Sequence, residues 1–404
     1  WPREPHYIAH LARHLMYEDP RDIDGAVKKV SLAEDLPEAK DDAALVHVAG
    51  MAHRIRMEQV LQEAIAQDLN LADVEDTVRS DFDEAVSRFE RSTQIKPSNE
   101  HGLVATIQTV SKLLRQSMRL AGEGNLSTFL TKRSSGFYMD ALSLAEENID
   151  LLNNRPRISI RAEKTIAEWN NVYGNTDRVV SDLRALAARH EDLDVRRALC
   201  AAIIARAKHK WRSMSQVDLR TVALMMEKNI NQQGVRDADI RRWFSAYRNL
   251  DTFDETVANR KLIDWHGLSP KSVEPAYYLF AINFLRFLSS QGSREALASE
   301  VIRWNSVCQS NRPYGSRSWS YDWLEQGRHG FRLAHFKNDL EGIDPPSMIR
   351  GERPADRAIL ESRLARVEGT IRDYRGPQFA SLDFGFNVFA KITPLGRLSK
   401  DDEG

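Results

Sequence analysis

The side chains able to do chemistry are scattered along this chain rather than gathered. His6, His10 and His14 stand at i, i+4 and i+8, so a helix puts them on one face. A metal site there would need a carboxylate or another ligand type brought alongside; half-buried packing on a helix is the plain alternative. Cys200 and Cys308 are the only cysteines. Two cysteines give neither metal-ligand spacing nor a disulfide framework, which favours a reducing compartment and a role as small buried apolar residues. No GxxxxGKS or GxxxxGKT phosphate loop, GxGxxG, HExxH or GxSxG occurs. The expectation is a chain with no catalytic residue, no metal site and no cofactor of its own.

Two clusters could bind rather than react. Arg196, Arg197, Arg206, Lys208, His209, Lys210 and Arg212 form a basic stretch. It could meet phosphates or an acidic partner, or be a solvated helix face. Tyr314, Arg317, Trp319, Tyr321 and Trp323 crowd one short segment. Trp, Tyr and Arg dominate binding hot spots, yet Trp319 and Trp323 at i, i+4 also suit a helix packed on a core.

The elements that must position these groups are read best from Phe82 to Pro97, FDEAVSRFERSTQIKP. Ala85, Phe89, Ser92 and Pro97 have the spacing of the second helix of a tetratricopeptide repeat. Small Ala85 lets a partner helix approach, Phe89 fills the groove one turn on, and Ser92 keeps the same face narrow. Pro97 ends the helix. One such unit cannot bury its own apolar face, so neighbours must stack on it.

The pattern extends both ways. Ile8, Leu11, Ala12 and Leu15 make an apolar stripe over Pro5 to Tyr17. Asp22 can cap a second helix in which Ala26, Val30 and Ala33 repeat the small–large–small theme. From Asp42 a long helix carries Gly50 at the close-packing position, and Leu61 to Ser80 reads as a helical insertion before the Phe82 helix. Further helices are expected over His101 to Leu120 and Phe137 to Leu152, followed by a break at Asn153 to Pro156. Four more run from Ile158 to about Gln232, with Asn175, Asp192 and Ser215 at their starts. Asp237 to Leu250 and Thr252 to Trp265 follow. Pro270 and Pro275 lead into Tyr277 to Leu288, the most apolar helix, which pairs with Ser293 to Gln309. After Gly330 helical periodicity fades, and Gly342 to Met348 reads as linker. RVEGTIRDY, PQFASLDF and FNVFAKI are short β-like runs.

The fold class expected is all-α: an irregular tetratricopeptide-like superhelix, then a small, apparently incomplete β module. The divisions are 1–154 and 155–341 for two helical-repeat regions, 342–362 for a linker and 363–404 for the module. A net charge of −1, with 42% hydrophobic and 28% charged residues, gives no bulk bias toward nucleic acid or membrane. No apolar run is long enough to span a bilayer and no signal peptide is visible, so a cytoplasmic place is expected. Residue 1 is Trp, which suggests processing or excision from a longer protein.

The order of PHYIAHLARHLMY, DDAALVHVAGMAHR, RRWFSAYRNL, PAYYLFAINFLRFL, SRSWSYDWLEQG and a closing GTI segment resembles a known family. It is that of the tetratricopeptide-like sensor regions of signal-transduction NTPases with numerous domains. The likeness is to their bacterial antiviral members and to the related animal antiviral factors with sterile-alpha-motif domains. The resemblance implies NTPase and effector modules on the N-terminal side and a partner that is an invader's protein. It also implies homo-oligomerisation through the upstream NTPase. The tail looks like a cold-shock or S1-type barrel of the oligonucleotide-binding class. GTIRDY lines up with the first strand and FNVFAKI with the third. In nucleic-acid-binding members bases stack on exposed aromatics; Tyr374, Phe379 and Phe389 could serve. Asp373 stands where such barrels carry a stacking aromatic, and a carboxylate there repels phosphate. A structural or protein-binding module is therefore expected. The alternatives are an RNA-binding helical-repeat protein and a constitutive peptide-binding scaffold.

Overall fold

A computed structural model describes residues 4–17, 21–39, 41–133, 136–232, 234–288 and 292–311, and strands within 322–391. These residues divide into two compact units, Trp1–Ala202 and Ile203–Gly404. The Asn153–Pro156 break falls inside the first.

The first unit contains α1 (Pro5–Tyr17), α2 (Ile23–Glu34), α3 (Ala43–Ala66), α4 (Leu71–Ile95) and α5 (His101–Leu120). These are followed by α6 (Leu126–Thr131), α7 (Phe137–Asn153), α8 (Ile160–Trp169), α9 (Thr176–Arg189) and most of α10 (Leu193–Arg206). Their starts are set by side-chain oxygens that accept otherwise orphaned backbone N–H groups. Asp22, Asp42, Ser159 and Asn175 cap α2, α3, α8 and α9. The Asp192 carboxylate accepts from Asp194 N and Val195 N at the head of α10.

The helices pack in two rows. One row is α1, α3, α5 and α8, each against the next. The other helices fill the gaps: α2 packs on α1 and α3, α4 on α3 and α5, α7 on α5, and α9 on α8. Side chains tie this second row together. Arg88 of α4 forks onto Glu34 of α2, and Phe82 meets Phe137 of α7 edge-on at 5.3 Å.

The Phe82–Pro97 segment does what its spacing predicts. Ala85 and Phe89 are wholly buried, and the Ser92 hydroxyl donates to Ala43 O at 2.9 Å. Gly50 is the complementary feature: a Cβ there would stand 2.6 Å from Phe89 Cε1 and 3.0 Å from Ala85 O. That approach is closer than any side chain permits, so α3 and α4 meet backbone to ring.

Three expectations need correction in this unit. Leu61–Ser80 is not a helical insertion. The chain turns at Gln67–Asn70, with Asp68 at φ +56°, and the remainder extends α4 backwards. On α1 the core is taken by Ala9 and Met16 with Ile8 and Ala12, while Leu11 and Leu15 are half-buried. The short α6 had no counterpart in the sequence reading; Asn125 caps it, and Leu126 and Phe129 bury it.

The second unit takes in α11 (Gln216–Ile230), α12 (Asp237–Tyr247), α13 (Glu255–Leu268), α14 (Val273–Leu288) and α15 (Arg294–Asn311). Alternate helices again align: α12 packs on α14. In the other row Lys261 of α13 reaches Glu227 of α11, and His266 of α13 meets Trp304 of α15 at 5.1 Å. Trp243 is the centre, stacked on Tyr247 and edge-on to Trp265 at 4.6 Å. Pro275 is no loop residue. It is the third residue of α14, where a missing N–H breaks no helical bond, so the helix starts four residues before Tyr277.

Five strands follow: β1 (Asp322–Gly327), β2 (Gly330–His335), β3 (Thr370–Tyr374), β4 (Phe379–Asp383) and β5 (Asn387–Lys391). β1 and β2 form an antiparallel pair, and β3-β4-β5 an antiparallel sheet. The last three occupy the three β-like runs of the tail. The 342–362 linker lies outside the described residues.

Candidate partner-binding surfaces

The basic stretch is not one stripe. Arg196 and Arg197 are buried, at 3% and 9% exposure, and Arg197 Nη1 donates to Asp194 Oδ1 at 2.9 Å. Arg206 closes α10 and donates to Asp218 Oδ2 at 2.8 Å. The chain then leaves the helix through Lys208 and His209, at φ +51° and +61°. Those left-handed positions are normally held by glycine, and both residues are exposed. Lys210 is half-buried, and the backbone of Arg212 lies in a single 3-10 turn, Trp211–Ser213, anchored by buried Trp211. A row of arginines and lysines facing water is therefore overturned for the α10 part. The helical period turns Arg196 and Arg197 into the packing, which charge counting could not reveal.

Tyr314, Arg317, Trp319 and Tyr321 lie outside the described residues. Trp323 lies on β1, so the i, i+4 helix reading of Trp319 and Trp323 fails at Trp323. In the three-stranded sheet, Ser381 pairs with Phe389 and Tyr374 with Ala380. Pairing and the two-residue period put positions 379 and 389 on one face and position 374 on the other. The sheet therefore brings two of the three stacking candidates together.

The most developed surface was missed by the sequence reading. It lies along the α1–α3–α5–α8 row. On α3, half-buried His47 has its ring 5.3 Å from Phe89 and 6.1 Å from His101 of α5. His47 Nδ1 is buried without a hydrogen-bond partner. Burial pushes the His47 pKa down, and the positive charges of His101, Arg161, Arg13 and Arg54 push it further, to about 4. His101 is lowered as well, by burial and then by Arg161, with Glu100 opposing. The rings of His47 and His101 thus meet between α3 and α5.

Part of this face is tied up. Arg54 Nη1 donates to Gln108 Oε1 at 3.2 Å, and Gln108 Nε2 to Thr165 Oγ1 at 3.1 Å, which links α3, α5 and α8 in a line. Glu58 is shared between Arg54 Nε at 3.1 Å and Lys112 Nζ at 3.6 Å. Arg13 and Arg161 are exposed and pair with no carboxylate among the described residues. Farther along α5, Arg115 and Arg119 line an open cleft of about 430 Å³ with Asn171 and Val172. The signal was available: His101, Gln108, Lys112, Arg115 and Arg119 recur at helical spacing on the polar side of α5. It becomes visible once α5 is known to stand between α3 and α8.

Two buried carboxylates complete the charged interior. Asp81 of α4 is 1% exposed. It accepts from Arg56 Nε at 2.9 Å to each oxygen and lies 3.0 Å from His53 Nδ1. Burial pushes its pKa up, but the bonds from His53 and Arg56 outweigh that and hold it below its ordinary value. Glu274 of α14 is 2% exposed and accepts from Arg241 Nε at 2.9 Å through Oε1. Its Oε2 is buried without a partner, and burial raises its pKa despite Arg241. Cys200 and Cys308 are both buried, and the Cys308 thiol is pushed up to about 12 by burial and then by Glu274. Among the described residues no group of three or more His, Cys, Asp or Glu stands where it could hold a metal ion. None of the described helices is long and apolar enough to cross a membrane.

Neither comparison with protein-family models nor comparison with curated proteins finds a match for this chain.

Proposed function

We propose that this chain is a protein-recognition region, the sensing part of an antiviral switch NTPase of the kind its ordered motifs resemble. One observation supports the recognition half of the reading: α1, α3, α5 and α8 pack as a continuous row, one helix from each successive pair. Stacked pairs of that kind present a broad face to a folded partner. In this reading the chain carries recognition, needs no cofactor and works in the cytoplasm. An invader's protein seated on it would release upstream NTPase modules to oligomerise and switch on an effector.

The test is a pull-down with the tagged chain from cells with and without virus, after nuclease treatment, read by mass spectrometry. A virus-encoded protein enriched only on infection is the expected result. A partner captured equally from both samples would replace the sensor with a constitutive scaffold. Capture lost entirely to nuclease would favour an RNA-binding protein, a reading to which the shared face of positions 379 and 389 lends its one specific observation.

A further inference from the structure

We propose that His6 and His10, on the water-facing side of α1, chelate a divalent transition-metal ion of the copper, nickel or zinc type. The proposal stands apart from the protein-recognition reading and does not depend on it.

α1 buries Ile8, Ala9, Ala12 and Met16 and leaves both histidines exposed. Residues four apart on a helix stand one above the other, and here the two rings meet. Their Nε2 atoms are 3.1 Å apart and their centroids 4.6 Å. The nitrogens are closer than the centroids, so the rings converge at their Nε2 ends, as a shared ion requires. Without an ion, one ring donates an Nε2–H to the other. With one, both rings carry their proton on Nδ1 and turn an Nε2 lone pair on the metal. Bonds of about 2.05 Å to the same ion would span the observed gap at an N–metal–N angle of roughly 98°. That angle lies between the right angle of a square or octahedral site and the wider angle of a tetrahedral one. Neither geometry asks the rings to move far, and the backbone is already helical.

Two histidines four apart on one helix face are also the metal-holding part of the HExxH pattern. Here Tyr7 follows His6 where that pattern has glutamate, so the chelate comes without a general base. No third His, Cys, Asp or Glu joins the pair among the described residues. A closed site would need such ligands; an open chelate fills its remaining positions with water.

The donor set selects the ion. Two neutral nitrogens bring no negative charge, and Arg13, exposed three residues beyond His10, opposes any cation held by charge alone. Magnesium and calcium, which take oxygen ligands, are therefore disfavoured. Imidazole suits copper, nickel and zinc, with copper the tightest. A bridge from His6 to His10 would close the first turn of α1, which begins at Pro5 without an N–H to donate.

The test is calorimetric titration of the full chain, free of any affinity tag, with nickel chloride and with magnesium chloride. Nickel is expected to bind saturably at one site, and magnesium not to bind. His6→Gln and His10→Gln should each weaken nickel binding by at least the ~10-fold that losing a ligand's supporting hydrogen bond costs in metal sites. His14→Gln, one turn further along α1, and His209→Gln, in the exposed turn after α10, should change nothing. All four side chains are exposed, and circular dichroism checks that each variant is folded. NMR gives a local readout: paramagnetic nickel should broaden the ring signals of His6 and His10 ahead of those of the other histidines. No saturable nickel binding, undiminished binding by the His6 and His10 variants, or an equal loss on His14→Gln would each overturn the proposal.

Discussion

Asp81 in the first unit and Glu274 in the second are carboxylates of almost equal burial, each facing one arginine, and they are driven in opposite directions. Both lose the solvation that favours the charged form. Asp81 regains it through both oxygens, from Arg56 and His53. Glu274 has Arg241 on Oε1, and the smaller help of Arg241 and Tyr278 together does not offset its burial. At like exposure the direction follows the balance of lost solvation and donated hydrogen bonds: the donors win at Asp81 and burial wins at Glu274. Both carboxylates pair with an arginine, but ionisation is made easier than usual at Asp81 and harder than usual at Glu274.

The largest expected effect comes from removing the better-served group. Asp81→Ala leaves His53 and Arg56 without their acceptor and should destabilise the chain by about 3 kcal/mol, the low end for a broken buried pair because Arg56 still reaches water. Denaturant unfolding followed by circular dichroism measures this. A loss under about 1 kcal/mol would reduce the Asp81 cluster to the value of a surface pair.

Packing without charge should rank next. Gly50→Ala drives a methyl into the Phe89 ring and the Ala85 carbonyl, at a cost of about 1–3 kcal/mol. Its loss should be the same at every pH. If it varied with pH, the α3–α4 contact would be linked to the neighbouring histidines.

The two carboxylates should also separate by pH. Asp81 has its folded pKa lowered. Its contribution is present above the unfolded carboxylate value and is lost as pH falls through the folded one. Glu274 has its folded pKa raised. The stability of its neutral form is complete below the unfolded value and is lost as pH rises through the folded one. Unfolding curves of Asp81→Asn should therefore lose part of the acid-side slope, and those of Glu274→Gln part of the slope just above the ordinary carboxylate range. Matching slopes in the two variants would break the comparison.

The smallest effect is on Glu274 itself. Glu274→Gln should leave stability at neutral pH unchanged or raised, within about 1 kcal/mol. It should also make Cys308 somewhat easier to ionise, since Glu274 contributes to its raised pKa. The rate of alkylation by a maleimide against pH reports this. A clear destabilisation by Gln would show that the ionised Glu274–Arg241 pair stabilises the fold after all.

Much of the fold was legible because its determinants are local. Asp22, Asp42, Asn175 and Ser215 mark helix starts with residue types whose oxygens reach back to the next turn. Gly50 and Ala85 announced a close approach because only small residues allow one. Pro275 misled because proline ends helices in most positions but is welcome in a first turn. The surface at His47 was not legible, since its members span residues 47 to 165 and meet only after α3, α5 and α8 have packed. Asp81 and His53 are 28 positions apart and faced the same obstacle. Basic residues counted along the chain gave weight to Arg196 and Arg197, which the helical turn buries.

The alternating rows of the first unit have a mechanical side. Each helix pair grips chiefly its predecessor and its successor, so tension along the chain passes through a series of separate junctions. Stretched in an optical trap, this unit should yield in steps, one pair at a time, instead of rupturing at once. The junction where the Phe89 ring lies against the bare backbone of Gly50 should be among the last to let go. Gly50→Ala would then move that junction forward in the order of release.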